Sequence, residues 1–344
     1  MNYSEKAIGV VGLILLIFLS SCEHKVSMKT IVHEDGSLDK TLTLSQGKSN
    51  ATKNYFNISE QQGWVVSIDS VEKGHSKNDT SKKEKEYKYT FRKTFGSALE
   101  ANKELAEPND SLFRVTSKFE KHFRWFYTYY YYSDTYLAIN RYQLPIEDYF
   151  INSDFQFIER LPAEGKSISK ADSLFLNKLN ERIYDEYISQ AYFDDYFRIL
   201  IDLAHPSKKQ YLKSQKQCVY QLLKRKENFE DDVLITLSDS LGLGIDLSRP
   251  EYSIMKKSVE NKLNFMSWAA SGTYKHVIEM PGDLVSHNAD STSDNELYWS
   301  PPHLKFAFKD YTMYAKTRTP NWWAWILSFL ILIAAGWSFV RKRD

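Results

Sequence analysis

From residue 26 the chain alternates. Val26, Met28, Thr30 and Val32 share one phase, Glu34-Asp35-Gly36-Ser37 supplies a turn, and Leu38, Lys40, Leu42 and Leu44 resume the period beyond it. A two-residue period on both sides of a Gly-containing turn predicts a hairpin over 26–44. A further strand fits Trp64 to Val71. The charged stretch Lys73 to Lys85 reads as an excursion, and Tyr87, Tyr89 and Phe91 restart the period. The longest alternating run is Phe119 to Tyr132. Phe119, Phe123, Trp125, Tyr127, Tyr129 and Tyr131 hold one phase; the other opens Glu120, His122, Arg124 and then becomes Phe126, Thr128, Tyr130, Tyr132. This predicts one strand with one buried face, whose second face is also covered from Phe126 onward. Packing inside a sheet is the plain reading of that cover, and a helical lobe, a partner or a membrane surface are the others. Trp125, Phe126, Tyr130 and Tyr132 are therefore the candidate binding surface.

Between about Leu144 and Ala269 the period becomes helical. Leu176, Leu179, Ile183 and Tyr187 line one face, Tyr192, Tyr196, Ile199 and Leu203 another, and Pro206 ends the run. Lys208 to Lys226 predicts a lysine-rich third helix, Leu241-Gly242-Leu243-Gly244 a loop, and Met255, Val259, Leu263 and Met266 a last helix. Strands return over Thr273–Met280, Glu296–Trp299 and Leu304–Ala315. Strands, then helices, then strands predict an α+β fold, a mainly antiparallel sheet with a large inserted helical lobe. The expected organisation is a signal segment 1–21, a β-rich part 22–143, a helical insertion 144–269, completing strands 270–320, a transmembrane helix 321–340 and a basic tail 341–344. No internal repeat is visible.

The two ends concern membranes. Lys6 precedes an uncharged run from Ala7 to Ser21 that closes on Leu19-Ser20-Ser21-Cys22. A short apolar region followed by small residues is a secretory signal, and its last four residues match a bacterial lipobox. Cys22 is thus the expected lipidated N-terminus, with palmitate among its acyl groups; an uncleaved N-terminal helix is the other reading. Trp322 to Val340 carries no charge, with Trp322, Trp323 and Trp325 at one edge and Trp337 near the other, and Arg341-Lys342-Arg343 follow at once. Some 20 apolar residues span a bilayer as a helix. Interfacial Trp and a basic stop place the far end in the cytoplasm and residues before 321 outside it. A helical span argues for the inner membrane, because outer-membrane spans are barrels.

Composition narrows the functions. Among 344 residues, 45 Lys plus Arg stand against 44 Asp plus Glu, a formal charge of +1. Nucleic-acid binders carry a basic excess, so no nucleic-acid partner is expected. Of the two cysteines, Cys22 and Cys218, a lipidated Cys22 leaves Cys218 without a disulfide, and its helical pattern predicts a buried, inert thiol. The eight histidines show no metal-ligand spacing, and no nucleophile elbow or phosphate loop occurs. Asn288, Asp290, Thr292, Asp294 and Glu296 alternate as calcium ligands do. However, Ser293 and Trp299 replace the Gly and Glu of such a loop, so a solvated hairpin is expected. Asp185, Asp194, Asp195 and Asp202 offer carboxylates for acid–base work, but Arg182 and Arg198 interleave with them as surface ion pairs. Four sequons, at Asn50, Asn57, Asn78 and Asn109, matter only in a eukaryotic secretory pathway. No catalytic residue, metal or cofactor is predicted.

Cys22, Val26-Ser27-Met28-Lys29 and Asp35-Gly36-Ser37 in the first third, with Pro281-Gly282-Asp283-Leu284-Val285, Asn288-Ala289 and Tyr298-Trp299 in the last, resemble the LppM type of bacterial membrane-anchored lipoprotein. The helical lobe departs from that pattern. The resemblance implies an envelope domain without known catalysis that contacts lipid or glycolipid. The sequence as a whole points to a non-enzymatic envelope lipoprotein, anchored in the inner membrane, whose outward domain binds a partner protein or an amphipathic ligand. A lipid-handling module and a carboxylate-dependent hydrolase of envelope components are the alternatives.

Overall fold

The computed structural model describes residues 24–46, 55–56, 58–72, 85–107, 112–226 and 249–341, with positions 235, 238, 239 and 242. The lipobox with Cys22, the sequons at Asn50, Asn57, Asn78 and Asn109, most of the Leu241–Gly244 loop, Lys342 and Arg343 lie outside the described residues. The chain divides into two compact units. A helical unit holds Ile139–Pro162 and Lys166–Ser271, and a β unit holds Glu23–Ala138, Ala163–Gly165 and Gly272–Asp344.

The fold class is α+β. The β unit is built on two sheets where the sequence suggested one. The larger contains β1 (His24–Val32), β2 (Leu38–Gln46), β3 (Val65–Glu72), β4 (Lys85–Phe95), β7 (Gly272–Glu279), β9 (Ser291–Ser293) and β10 (Glu296–Trp299), in the order β3-β4-β2-β1-β7-β10-β9. The smaller contains β5 (Val115–Phe123), β6 (Tyr127–Tyr136), β8 (Asp283–His287) and β11 (Tyr311–Pro320), in the order β5-β6-β11-β8. Pairing is antiparallel except between β1 and β7, which run parallel with His24 opposite Gly272 and Ile31 opposite Glu279.

The expected first hairpin forms as β1–β2, with Val32 opposite Leu38. Gly36 sits in its turn at φ +92°, a region that L side chains rarely enter, and Asp35 accepts hydrogen bonds from the Ser37 amide (2.9 Å) and hydroxyl (2.7 Å). Alternation then buries Val26, Met28, Thr30 and Val32 of β1 and Leu38, Lys40, Leu42 and Leu44 of β2. The second sheet meets this face with Val115, Ser117, Tyr130, Tyr132, Asp134, Tyr136, Met313 and Ala315, all buried. Phe113 extends the packing by stacking on Tyr274 and meeting Tyr136 edge-on.

The aromatic run over Phe119–Tyr132 is corrected to a hairpin of two strands. β5 ends at Phe123 and β6 begins at Tyr127, with the Arg124 amide donating to the Tyr127 carbonyl (2.8 Å). The turn resets which side chains face inward, and this explains the change of phase at Phe126. The strand expected over Leu304–Ala315 is a short helical turn at His303–Phe306 followed by β11. A helix absent from the sequence reading, α1 (Ala98–Leu105), packs on β5; the Ser97 hydroxyl accepts its Glu100 amide (3.2 Å).

The helical unit contains α2 (Asn152–Glu159), α3 (Lys170–Glu181), a π-helical stretch Arg182–Ile188, α4 (Ser189–Leu203), α5 (Lys209–Ser214), α6 (Lys216–Lys226) and α7 (Pro250–Ala270). Leu179, Ile183 and Tyr187 are buried, and Tyr196, Ile199 and Leu203 join Phe193, Leu212, Val219, Tyr252 and Val259 in its core. The single helix expected over 208–226 is two helices. Cys218, expected to be buried, is exposed, because Val219 and Tyr220 are the residues that face the core.

Candidate functional site

Two groups of residues in the β unit depart from ordinary sandwich packing. The first is a polar cluster sealed between the sheets. Lys40 on β2 and Asp134 on β6 pair at 3.0 Å with side chains 1% and 0% exposed. The Lys40 ammonium donates to both Asp134 carboxylate oxygens, to the Thr30 hydroxyl (3.0 Å) and to the Tyr132 phenol (3.1 Å). Asp134 also accepts from Ser117 (2.6 Å), Tyr132 (2.7 Å) and Thr30 (3.0 Å). His276 on β7 completes the set, with Nε2 at 3.0 Å from Asp134 and Nδ1 at 3.0 Å from the Tyr136 phenol.

Burial would raise the Asp134 carboxyl, but the Lys40 charge beside it and the hydrogen bonds from His276 and Ser117 outweigh that and hold it far below the usual carboxylate range. Burial lowers Lys40 and His276, with Asp134 pulling each the other way. Burial, then the Asp134 charge, pushes Tyr132 well up. His276 is accordingly neutral, donating through Nε2 and accepting from Tyr136 at Nδ1. The charges cancel and every carboxylate lone pair has a donor, as a buried ion pair requires. Buried throughout, the cluster serves to fix how β1, β2 and β7 of one sheet meet β5 and β6 of the other. Lys40 was legible as an inward position of β2, whereas Asp134 and His276 gave no sequence signal.

The second group is aromatic and open. At the β5–β6 turn Phe123, Trp125 and Phe126 are exposed, by 58%, 46% and 36%. They lie against the first turns of α8 (Trp322–Arg341). Trp323 stacks on Phe123 (6.2 Å between centroids) and meets Trp125 edge-on (5.3 Å), while Trp325 packs on Phe126 (4.4 Å) and Tyr127 (6.1 Å). The Trp125 indole donates to the Ser328 hydroxyl at 3.0 Å. Asn321 ties the two elements together: its amide side chain donates to the Arg124 and Trp125 carbonyls (2.7 and 3.2 Å) and its backbone N–H to the Phe126 carbonyl (2.9 Å). The Thr128 hydroxyl donates to the Asn321 side-chain oxygen at 2.9 Å. Arg318 lies over the Tyr127 ring.

The four aromatic residues singled out in the sequence therefore divide. Trp125 and Phe126 form the exposed tip. Tyr130 and Tyr132 are buried between the sheets, so their place on a binding surface is corrected: the turn sends their phase inward. Trp322, Trp323, Trp325 and Trp337 are all exposed on α8, as is Arg341. Among the described residues no helix is long and apolar enough to cross a membrane.

The remaining candidates are held by ordinary partners. Asn288 accepts the Trp299 indole N–H (3.1 Å) and the Tyr314 amide (2.9 Å), and Asp290 accepts the Ser300 amide (2.7 Å). Glu296 pairs with Lys29 at 2.6 Å, and Asp294 takes the positive φ of the β9–β10 turn. Within the helical unit, Asp194 pairs with Lys216 (2.8 Å), and Asp195 with Arg198 and with Lys262 (3.0 Å). Asp185 lines an open cavity of about 510 Å³ beside the π-helical stretch, with Phe175, Lys178, Glu181, Arg182 and Glu186. No group of three or more His, Cys, Asp or Glu able to hold a metal occurs among the described residues.

No family model matches the chain, and no curated protein matches it. A search of solved structures returns the NMR structure of the folded domain of the LppM protein of Mycobacterium tuberculosis. It is 8% identical with a TM-score of 0.28, over 87% of this chain and 92% of that one. Likeness of that order assigns neither a fold nor a role to this chain.

Proposed function

We propose that the chain is a non-enzymatic envelope lipoprotein of the bacterial inner membrane, anchored by lipid on Cys22 and by α8 as a single span, whose outward part acts by binding a partner protein or an amphipathic ligand. The observation that carries this reading is the state of α8. Of its described side chains, Ala324 is buried, Ser328 is half-buried where Trp125 bonds to it, and the others are exposed. A continuous apolar surface of that extent is foreign to water-soluble monomers, and Trp322 to Val340 hold no charge. Hydrocarbon is the surrounding such a helix matches, with Trp at both edges and Arg341 beyond. The clamp on Asn321 leaves no flexible linker, so the sandwich is held at a fixed attitude to its anchor.

Alkaline extraction of membranes and intact mass measurement of the native chain test the reading together. The expected outcome is a chain retained in the membrane that begins at an acylated Cys22. A Met1 start would replace the lipid with a second span and leave the sandwich on the same side. Recovery of the full chain in the soluble fraction would overturn the reading.

A further inference from the structure

We infer that the β5–β6 tip is itself a lipid-contact site, entering the interfacial layer of the phospholipid bilayer beside α8. The inference rests on the reading of α8 as a membrane anchor and adds a second, non-helical point of entry. Its argument is depth along the helix. Trp125 bonds to Ser328, six residues beyond Trp322, and an α-helix rises about 1.5 Å per residue, so the indole reaches roughly 9 Å past the first interfacial Trp. The polar layer on each face of a bilayer is roughly 5–8 Å deep. A helix inserted from Trp322 onward therefore carries Trp125 through the headgroups to the hydrocarbon boundary, together with Phe123 and Phe126.

The tip cannot swing clear of that position. Three consecutive backbone carbonyls, Arg124 to Phe126, are held by Asn321 at the start of α8. Its own chemistry suits the layer. Trp and aromatic rings with one polar edge concentrate at membrane–water interfaces, and the turn presents Phe-Arg-Trp-Phe instead of the Gly, Asn or Asp that a solvated two-strand turn favours. The Arg124 side chain is exposed, and a long cationic side chain at this level extends back toward the headgroups. A soluble domain tethered by a mobile linker would need none of these features.

The test uses the full chain carrying Cys218→Ser, in which an acylated Cys22 offers no free thiol, so that a single new cysteine is labelled. The cysteine replaces Trp125, or Lys309, which is exposed beside the opposite end of β11, roughly 30 Å away at about 3.3 Å per strand residue. Each variant is labelled with an environment-sensitive fluorophore and reconstituted in phosphatidylcholine–phosphatidylglycerol vesicles. The label at 125 is expected to be severalfold less quenched by aqueous iodide and severalfold more quenched by acyl-chain nitroxide than the label at 309. Equal iodide quenching at both sites, in a chain that resists alkaline extraction, would overturn the inference and leave the anchor standing. Shielding of 125 from both quenchers would mean that protein covers the tip, and would also overturn it. Release of the chain by alkali would remove the anchor reading and the inference with it. Phe126→Cys, tested in parallel, shows whether a result at 125 belongs to the tip or to that one substitution.

Discussion

The β5–β6 hairpin carries two regions that invert the usual placement of side chains. Toward the far end of β6 a carboxylate, Asp134, has no exposed surface, while at the turn Trp125 and Phe126 are bare. Water alone would favour the reverse at both places. Inside, the inversion is balanced within the protein: Lys40, Thr30, Ser117, Tyr132 and His276 supply every interaction that water would have given Asp134. At the turn the balance is incomplete, because Trp323 and Trp325 cover only part of the aromatic surface. The lesson is that an inverted residue with all its partners marks a structural pin, whereas one with half its partners leaves apolar surface uncovered.

The largest test of that contrast is to unbalance the pin. Lys40→Met leaves Asp134 charged and buried without its counter-ion, and is expected to cost about 3–5 kcal/mol. Urea unfolding would measure it. Lys40→Met with Asp134→Leu is expected to lose less than the two single losses combined, since the residues are in direct contact. Additive losses would show that they do not act as a pair.

An effect of the same order for each ring comes from pH. Burial lowers His24 and His303 from 6.5 to about 4, and lowers His276 as well. These rings are neutral in the fold, whereas the unfolded chain protonates them below about pH 6.5. The unfolded state thus binds more protons, so their contribution is fully present above pH 6.5 and is lost as pH falls toward 4. For His24 the loss is roughly 3 kcal/mol, readable as a fall in Tm between pH 7 and pH 4. A Tm that holds level over this interval would contradict the burial of these rings.

The smallest effect is expected at the tip. Phe126→Ser removes an exposed ring and its contact with Trp325, so unfolding of the sandwich should change by less than about 1.5 kcal/mol. A loss as large as that of Lys40→Met would make Phe126 a core residue and erase the distinction between the two regions.

Much of the sandwich was legible because alternation reports burial directly: β1, β2, β3, β4, β7 and β10 fall where the two-residue period placed them. The turn inside Phe119–Tyr132 was not, because Phe123-Arg124-Trp125-Phe126 contains none of the residues that mark turns in water. The split into two sheets was hidden for a related reason, since periodicity reveals which face is covered but not by what. Half of the tip could be read, as Trp125 and Phe126 stand out by composition; Tyr130 and Tyr132 look identical in sequence and face the other way. The Lys40–Asp134–His276 cluster joins strands far apart in the chain, and a pairing of that kind leaves no local pattern.

The parallel pairing of β1 with β7 has a consequence for the order of assembly. His24 meets Gly272 across the whole helical segment, and Asp134 waits for His276 before its last donor arrives. Contacts so distant in sequence form slowly. As the chain is made from its N-terminus the first hairpin emerges early but its partner strand emerges late, and β11 and α8 come later still. Until then the edge of β1 is an unpaired strand, a template for wrong pairing. Arrival of α8 and completion of the sandwich are thus nearly the same event.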